Sequence, residues 1–197
     1  MKRRQGSGPD PQRRRRGPLA AALAVALALS SAASMLTGCA TLHDPVPSCG
    51  DPLRLAIIAQ SVPGAGYVPC IGQLSEGWSS SAFEPQDRGT SFVLNSDRSP
   101  GQPVQVRLRA SCAINGASPS PPRAPGVLTY TRLTSVSPRF TGTIYDVFPG
   151  GCVSYRFDFT TGPHIALMEQ FESAIGLYPR QQLRLTLEKK LGVRLDS

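Results

Sequence analysis

Cysteine and histidine are the side chains of this sequence best suited to nucleophilic or metal-binding chemistry, and their spacing restricts what they can do. The 197 residues include five cysteines and two histidines, His43 and His164. No two cysteines form a Cys-x-x-Cys pair, and no histidine completes a zinc-ligand pattern with them. The sequence therefore predicts no metal site and no bound cofactor.

Cys39 has a sequence context that the other four cysteines lack. A basic run at 13–16 (RRRR) precedes the apolar stretch 19–36, which leads into the tetrapeptide Leu36-Thr37-Gly38-Cys39. A basic segment in front of an apolar run orients an export signal across a membrane. The tetrapeptide resembles the lipobox of bacterial lipoproteins at each of its four positions.

This resemblance implies a defined chemistry at Cys39. Its thiol would accept a diacylglyceryl group as a thioether, and a signal peptidase would cut between Gly38 and Cys39. Residues 1–38 are then a signal peptide, and acyl chains such as palmitate hold the mature protein on the extracytoplasmic face of the cell membrane. Two alternatives stay open, a retained transmembrane helix over 19–36 and ordinary secretory cleavage, for example after Ala33. The arginines leave open whether export uses the Sec or the twin-arginine route.

The four remaining cysteines are Cys49, Cys70, Cys112 and Cys152. They form an even set in a chain expected to reach an oxidising compartment, so we predict two intramolecular disulfides. Four cysteines allow three pairings, and the sequence does not rank them.

Other catalytic signatures are missing from the sequence. There is no GxSxG elbow, HExxH helix or P-loop, and the spacing of Thr186 and Lys189 within a helix fits chance. A carboxylate pair of the glycosidase type stays conceivable. Its candidates are Glu76, Glu84, Asp87, Asp97, Asp146 and Asp158. Tyr67 and Trp78 could line a groove, although we favour packing roles for both.

The positive charge of the chain is concentrated ahead of the apolar run. The formal charge is +8, but from Cys39 onward there are 14 basic and 12 acidic side chains, a net charge of +2. Nucleic-acid binding needs clustered positive charge on the folded part, so we expect no nucleic-acid partner. Arg107 and Arg109 share one face of a predicted strand; they could form an anion site, although we favour a solvated outer face of an antiparallel sheet.

Hydrophobic periodicity predicts a single α+β domain over 51–197, joined to Cys39 by a tether at 39–50. Asp51-Pro52 favours a helix over 53–62, although that segment is apolar enough for a buried strand. Strands are predicted at 68–74, 104–114 and 127–136, a hairpin at 140–159, and helices before Gly176 and from Pro179 to Gly192. We therefore expect an antiparallel sheet with a short N-terminal helix and two C-terminal helices packed on one face or end.

Several segments resemble a family of uncharacterised actinobacterial proteins that are exported or membrane-attached. They are 59–78 (AQSVPGAGYVPCIGQLSEGW), 92–98 (FVLNSDR), 140–157 (FTGTIYDVFPGGCVSYRF) and 177–183 (LYPRQQL). The resemblance implies one folded unit outside the membrane, and it brings no activity or functional residue.

The sequence predicts a lipid-anchored, non-catalytic envelope protein that binds a partner protein or a ligand at the membrane surface. The alternative is an enzyme of the cell-wall hydrolase type with an unrecognised carboxylate site. Acids that converge in a deep cleft would favour the enzyme, whereas a shallow surface would favour the binding protein.

Replacing the proposed lipid-bearing residue gives a direct test. Cys39→Ala removes the only thiol at the cleavage site, so the precursor should accumulate uncleaved or the chain should be shed from the membrane. Ala40→Ser, at the next position, should leave processing unchanged. Intact-mass measurement of the mature protein checks this, and an unlipidated N-terminus at another residue would contradict it.

Overall fold

Three helices and nine strands make up residues 47–195, the part of the chain that the computed structural model describes. The helices are α1 (Pro52–Ser61), α2 (His164–Ala174) and α3 (Arg180–Leu191). The strands are β1 (Tyr67–Ile71), β2 (Trp78–Gln86), β3 (Gly89–Ser96), β4 (Ser99–Arg109), β5 (Ser118–Ser120), β6 (Leu128–Ser135), β7 (Phe140–Phe148), β8 (Gly151–Phe159) and β9 (Ile175–Pro179). The predicted α+β fold, with one N-terminal and two C-terminal helices, is confirmed. The predicted signal peptide, Cys39 and His43 lie outside the described residues.

The strands form two antiparallel sheets. Seven of them pair in the order β2-β3-β4-β8-β7-β6-β5, and β1 pairs with β9 in a small separate sheet. The predicted hairpin is the connection between β7 and β8, where Phe148 pairs with Gly151 across a Pro149-Gly150 turn. Gly150 has a φ of 71°, a conformation that glycine adopts without steric cost.

The core lies on the face of the large sheet that the helices cover. On β4 and β8 the predicted alternation is confirmed, because the inward side chains have no exposed surface. They are Val104, Val106, Leu108, Val153, Tyr155, Phe157 and Phe159. Phe171 of α2 packs on Phe157 and Phe159 with ring centroids 6.3 Å apart. Gly142 makes room for this cluster, since a Cβ there would lie 2.6 Å from the Phe157 ring.

Local signals fix the helix ends. Asp51 caps α1, where its side chain accepts hydrogen bonds from the N–H groups of Leu53 and Arg54 at 3.1 and 3.2 Å. The segment is a helix rather than a strand because its buried side chains, Leu55, Ile58 and Ala59, recur at helical spacing. Gly192 ends α3 in the left-handed conformation, with a φ of 65°.

The prediction that the strand beginning at Val104 runs to Ile114 is wrong at its end. β4 stops at Arg109, which pairs with Gly89 on one side and Cys152 on the other. Both neighbouring strands begin at that level, so residues 110–114 have no backbone partners with which to continue the ladder. Cys112 therefore does not continue the inward-facing row.

Four strands were not foreseen, namely β2, β3, β5 and β9. Residues 78–96 look loop-like in sequence because serines and Pro85 interrupt the apolar pattern. Pro85 is tolerated because β2 is an edge strand. A bulge between Ser81 and Glu84, with Ala82 at a φ of 51°, also breaks the alternation there.

Cys49 is bonded to Cys70, and Cys112 to Cys152. The loops they close span 21 and 40 residues. In the chain-entropy model these loops correspond to about 3 and about 4 kcal/mol of stabilisation. The first bond ties the end of the predicted tether to β1. Ile71 holds the same segment by donating a backbone hydrogen bond to the Pro47 carbonyl at 2.7 Å.

A buried ion pair joins the loop before β6 to the sheet and to α2. Asp146 of β7 has no exposed surface; it accepts a hydrogen bond from Thr129 Oγ1 at 2.7 Å and pairs with Arg123 Nη1 at 3.4 Å. Arg123 Nη2 also donates to the carbonyls of Glu172 and Ile175, at 2.8 and 3.1 Å. The guanidinium thus neutralises a core carboxylate and binds carbonyl oxygens at the end of α2.

Two titratable groups beside this ion pair have altered pKa values. The Tyr155 hydroxyl is buried without a hydrogen-bond partner among residues 47–195, and the Arg123 guanidinium carbon lies 4.7 Å from its ring centroid. Burial and the charge of Asp146 raise the pKa of Tyr155 well above its ordinary value. Burial also raises the pKa of Glu172, although Arg123 acts in the opposite direction.

Arg123→Met should lower the free energy of unfolding by about 3–5 kcal/mol, because it leaves the Asp146 carboxylate buried without a counter-charge. Arg139→Met is the matched control, since Arg139 pairs with Asp158 at the exposed surface and should contribute much less. Urea unfolding of both variants at neutral pH measures the difference. Equal losses would show that the buried pair has no special role.

Glu172→Gln should change the pH dependence of stability. A carboxyl whose pKa is raised in the folded state stabilises the fold at low pH, and this contribution disappears as pH rises through the folded pKa. The variant should therefore gain stability relative to the wild type between pH 4 and pH 7, as measured by urea unfolding at both values. A difference that is constant with pH would contradict the assignment.

Candidate functional site

The side of the large sheet turned away from the helices carries a group of exposed arginines. Arg107 and Arg109 lie on β4 and Arg156 on β8, and all three are exposed. Arg107 and Arg109 are two residues apart on one strand, a separation of about 7 Å. Arg156 pairs with Gln105, which makes it a diagonal neighbour of Arg107 at about 7–8 Å. We call Arg107, Arg109 and Arg156 the arginine face.

These three side chains have no internal counter-charge. Within residues 47–195, none of them forms a hydrogen bond or an ion pair with another residue. Arg132, farther along the same side of the sheet, differs: it donates to Tyr145 Oη at 2.8 Å and lies over that ring. Neighbouring like charges repel each other, so the arginine face is electrostatically suited to an anion.

A groove of about 500 Å³ runs along the β2 end of the arginine face. The bulge in β2 directs Glu84 to this side of the sheet, where Glu84 pairs with Ser91 and Ser91 pairs with Arg107. Arg88, in the turn between β2 and β3, also lines the groove. Its lining is therefore polar, with three arginines and one carboxylate.

The Cys112–Cys152 disulfide positions one wall of this groove. Ala110 and Ser111 line the groove and follow directly after β4. They have no strand partner, but the residue that follows Ser111 is Cys112, which is bonded to Cys152 on β8. The disulfide thus holds this segment against the sheet beside Arg109.

The carboxylates named as possible catalytic pairs do not meet in a buried cleft. Glu76 and Asp97 are exposed and line one depression of about 420 Å³ together with Arg98 and Gln170. Glu84 lies in the groove described above, and Asp87 is exposed in the adjacent turn.

Asp146 and Asp158 are also separated. Asp146 pairs with Val153 and Asp158 with Thr141, so they lie five register positions apart. This spacing corresponds to about 17 Å along the strands. Asp146 is committed to Arg123, and Asp158 to Arg139.

The other candidate residues take part in packing. His164 stacks on Phe140 with centroids 5.8 Å apart, and the Trp78 indole donates to Gln170 Oε1 at 2.9 Å. The Tyr67 hydroxyl donates to the Pro125 carbonyl, and Thr186 Oγ1 donates to the Gln182 carbonyl within α3.

Two properties of residues 47–195 bear on metal binding and on membrane insertion. No group of three or more histidine, cysteine, aspartate or glutamate side chains there could hold a metal ion. None of the helices α1 to α3 is long and apolar enough to cross a membrane.

Comparison of the chain with known protein families, curated proteins and solved structures finds no match to any of them. What the protein binds must therefore be inferred from the geometry of the site itself.

Sequence reasoning considered Arg107 and Arg109 as an anion site but favoured a solvated sheet face, and it missed Arg88, Arg156 and the position of Glu84. The alternation in β8 shows that Arg156 faces outward, but only the pairing of β4 with β8 brings it beside Arg107. Glu84 cannot be assigned to a strand from sequence, because the bulge in β2 interrupts the alternation there.

Proposed function

We propose that this protein is a lipid-anchored, non-catalytic binding protein on the extracytoplasmic face of the cell membrane, and that its arginine face binds an anionic partner. The observation that carries this proposal is the group of three exposed guanidinium groups on one open sheet face, which have no partner within residues 47–195. Guanidinium groups bind carboxylate and phosphate oxygens through paired hydrogen bonds, which gives such a face both affinity and orientation.

The arrangement of acids supports binding rather than hydrolysis. General acid catalysis by a carboxyl group needs a raised pKa, which burial in an apolar site provides. Of the acids predicted as candidate catalytic pairs, Glu76 and Asp97 line one depression, and both are exposed. The cell-wall hydrolase alternative is therefore the weaker reading.

The export signal and the disulfides support the proposed location. The predicted lipobox at 36–39 would direct attachment of several acyl chains, which anchor a protein stably, whereas a single acyl chain gives only marginal binding. Both disulfides suit an oxidising compartment outside the cytoplasm. The resemblance to exported actinobacterial proteins agrees with the same location.

A charge-removal variant tests the arginine face. We expect Arg107→Gln, Arg109→Gln and Arg156→Gln together to weaken binding of fluorescent linear polyphosphate by about tenfold or more, because three exposed charge contacts contribute roughly 0.5–1 kcal/mol each. Fluorescence anisotropy of the full chain in neutral maltoside micelles measures the affinity.

The matched control removes the same charge elsewhere. Arg184→Gln, Lys189→Gln and Lys190→Gln together alter three exposed basic residues of α3. This control should lower affinity only slightly, through the net charge. Equal losses in the two variants would show that binding follows overall charge, and the proposal would then be wrong.

A further inference from the structure

We infer that the groove at the β2 end of the arginine face binds a zwitterionic phosphate ligand of the phosphoethanolamine type. Arg88, Arg107 and Arg109 would hold its phosphate, and Glu84 would hold its ammonium group. The inference rests on the proposed function and names the ligand chemistry of that same surface.

The cationic side of the groove suits phosphate better than a single carboxylate. Arg107 and Arg109 enter it from β4, and Arg88 enters it from the turn before β3. A phosphate group offers several oxygens in a tetrahedral arrangement, so more than one guanidinium can contact it at once. Ser91 and Ser111 also line the groove and add hydroxyl donors.

Glu84 gives the groove a second, opposite charge at a fixed separation. Glu84, Ser91 and Arg107 form one row across three strands, with a serine between the acid and the base. Two cross-strand steps of about 5 Å separate the Cβ atoms of Glu84 and Arg107 by about 10 Å. No ion pair joins them in the described part of the chain. A ligand with both charges can fill the interval between them.

The floor of the groove has no room for a side chain at Gly89, and its wall is held by a disulfide. A Cβ at Gly89 would lie 2.6 Å from the Leu108 carbonyl oxygen, so the floor excludes any side chain at this position. The wall at Ala110 and Ser111 is held by the Cys112–Cys152 disulfide. The volume of about 500 Å³ lies within the range of small-molecule sites, about 300–1,000 Å³.

Glu84 also distinguishes this ligand from a simple polyanion. Its carboxylate repels phosphate, and a neighbouring ammonium group turns that repulsion into attraction. Arg156 lies on the same face but does not line the groove. It should therefore contribute to polyanion binding and not to this ligand.

Isothermal titration calorimetry of the full chain in neutral maltoside micelles, with phosphoethanolamine and inorganic phosphate as probes, tests the inference. The wild type should bind phosphoethanolamine more tightly. Glu84→Gln should weaken binding of phosphoethanolamine and strengthen that of phosphate. Arg107→Gln should weaken both by about tenfold, the effect of losing one charged hydrogen-bond donor. Arg184→Gln, the matched control on α3, should change neither affinity by more than about twofold, because Arg184 lies outside both the groove and the arginine face.

The outcomes separate this inference from the proposed function. If phosphoethanolamine does not bind, or if Glu84→Gln changes neither affinity, the inference is wrong, while loss of polyphosphate binding in the arginine-face variant still supports the proposed function. Equal effects of Arg107→Gln and Arg184→Gln on phosphoethanolamine would also overturn it. All these residues are exposed, so we expect every variant to fold. Thermal melts monitored by circular dichroism check this.

The ligand could be free or could be a lipid headgroup, and one further comparison decides between them. Phosphatidylethanolamine is added to the micelles and the titration with free phosphoethanolamine is repeated. A lower apparent affinity identifies the headgroup as an occupant of the groove. An unchanged affinity identifies the free compound as the ligand.

Discussion

Asp146 is a carboxylate on the core face of β7 with no exposed surface, and the fold depends on how its charge is met. Arg123 supplies the counter-charge from the loop before β6, and the same guanidinium binds two carbonyls where α2 passes into β9. One side chain thus links the sheet, the proline-rich loop and the C-terminal elements. Removing either partner of a buried pair leaves an isolated charge, so these three parts are coupled energetically.

The sheet uses arginine in opposite ways on its two faces. Arg123 is enclosed, and its charge is satisfied by Asp146 and by carbonyl oxygens. Arg107, Arg109 and Arg156 are exposed and unneutralised within the described fold. The net charge of residues 39–197 conceals this contrast, since it is only +2.

Sequence patterns predicted the elements whose side chains alternate or recur without interruption. The strand from Val104, the hairpin turn at Pro149-Gly150 and the cap at Asp51 all follow from local rules. The β2 strand did not, because a bulge and Pro85 break its period. The groove could not be predicted either, since Glu84 and Arg107 come together only through the strand order, which local sequence does not encode.

The Cys49–Cys70 bond has a mechanical consequence. Force applied along the N-terminal segment meets the hydrogen bond between Pro47 and Ile71 first and then passes to β1 through the covalent crosslink at Cys49. β1 passes the load to β9 through an antiparallel ladder, and β9 leads directly into α3. A domain pulled from its N-terminal side would therefore resist peeling beyond Cys49.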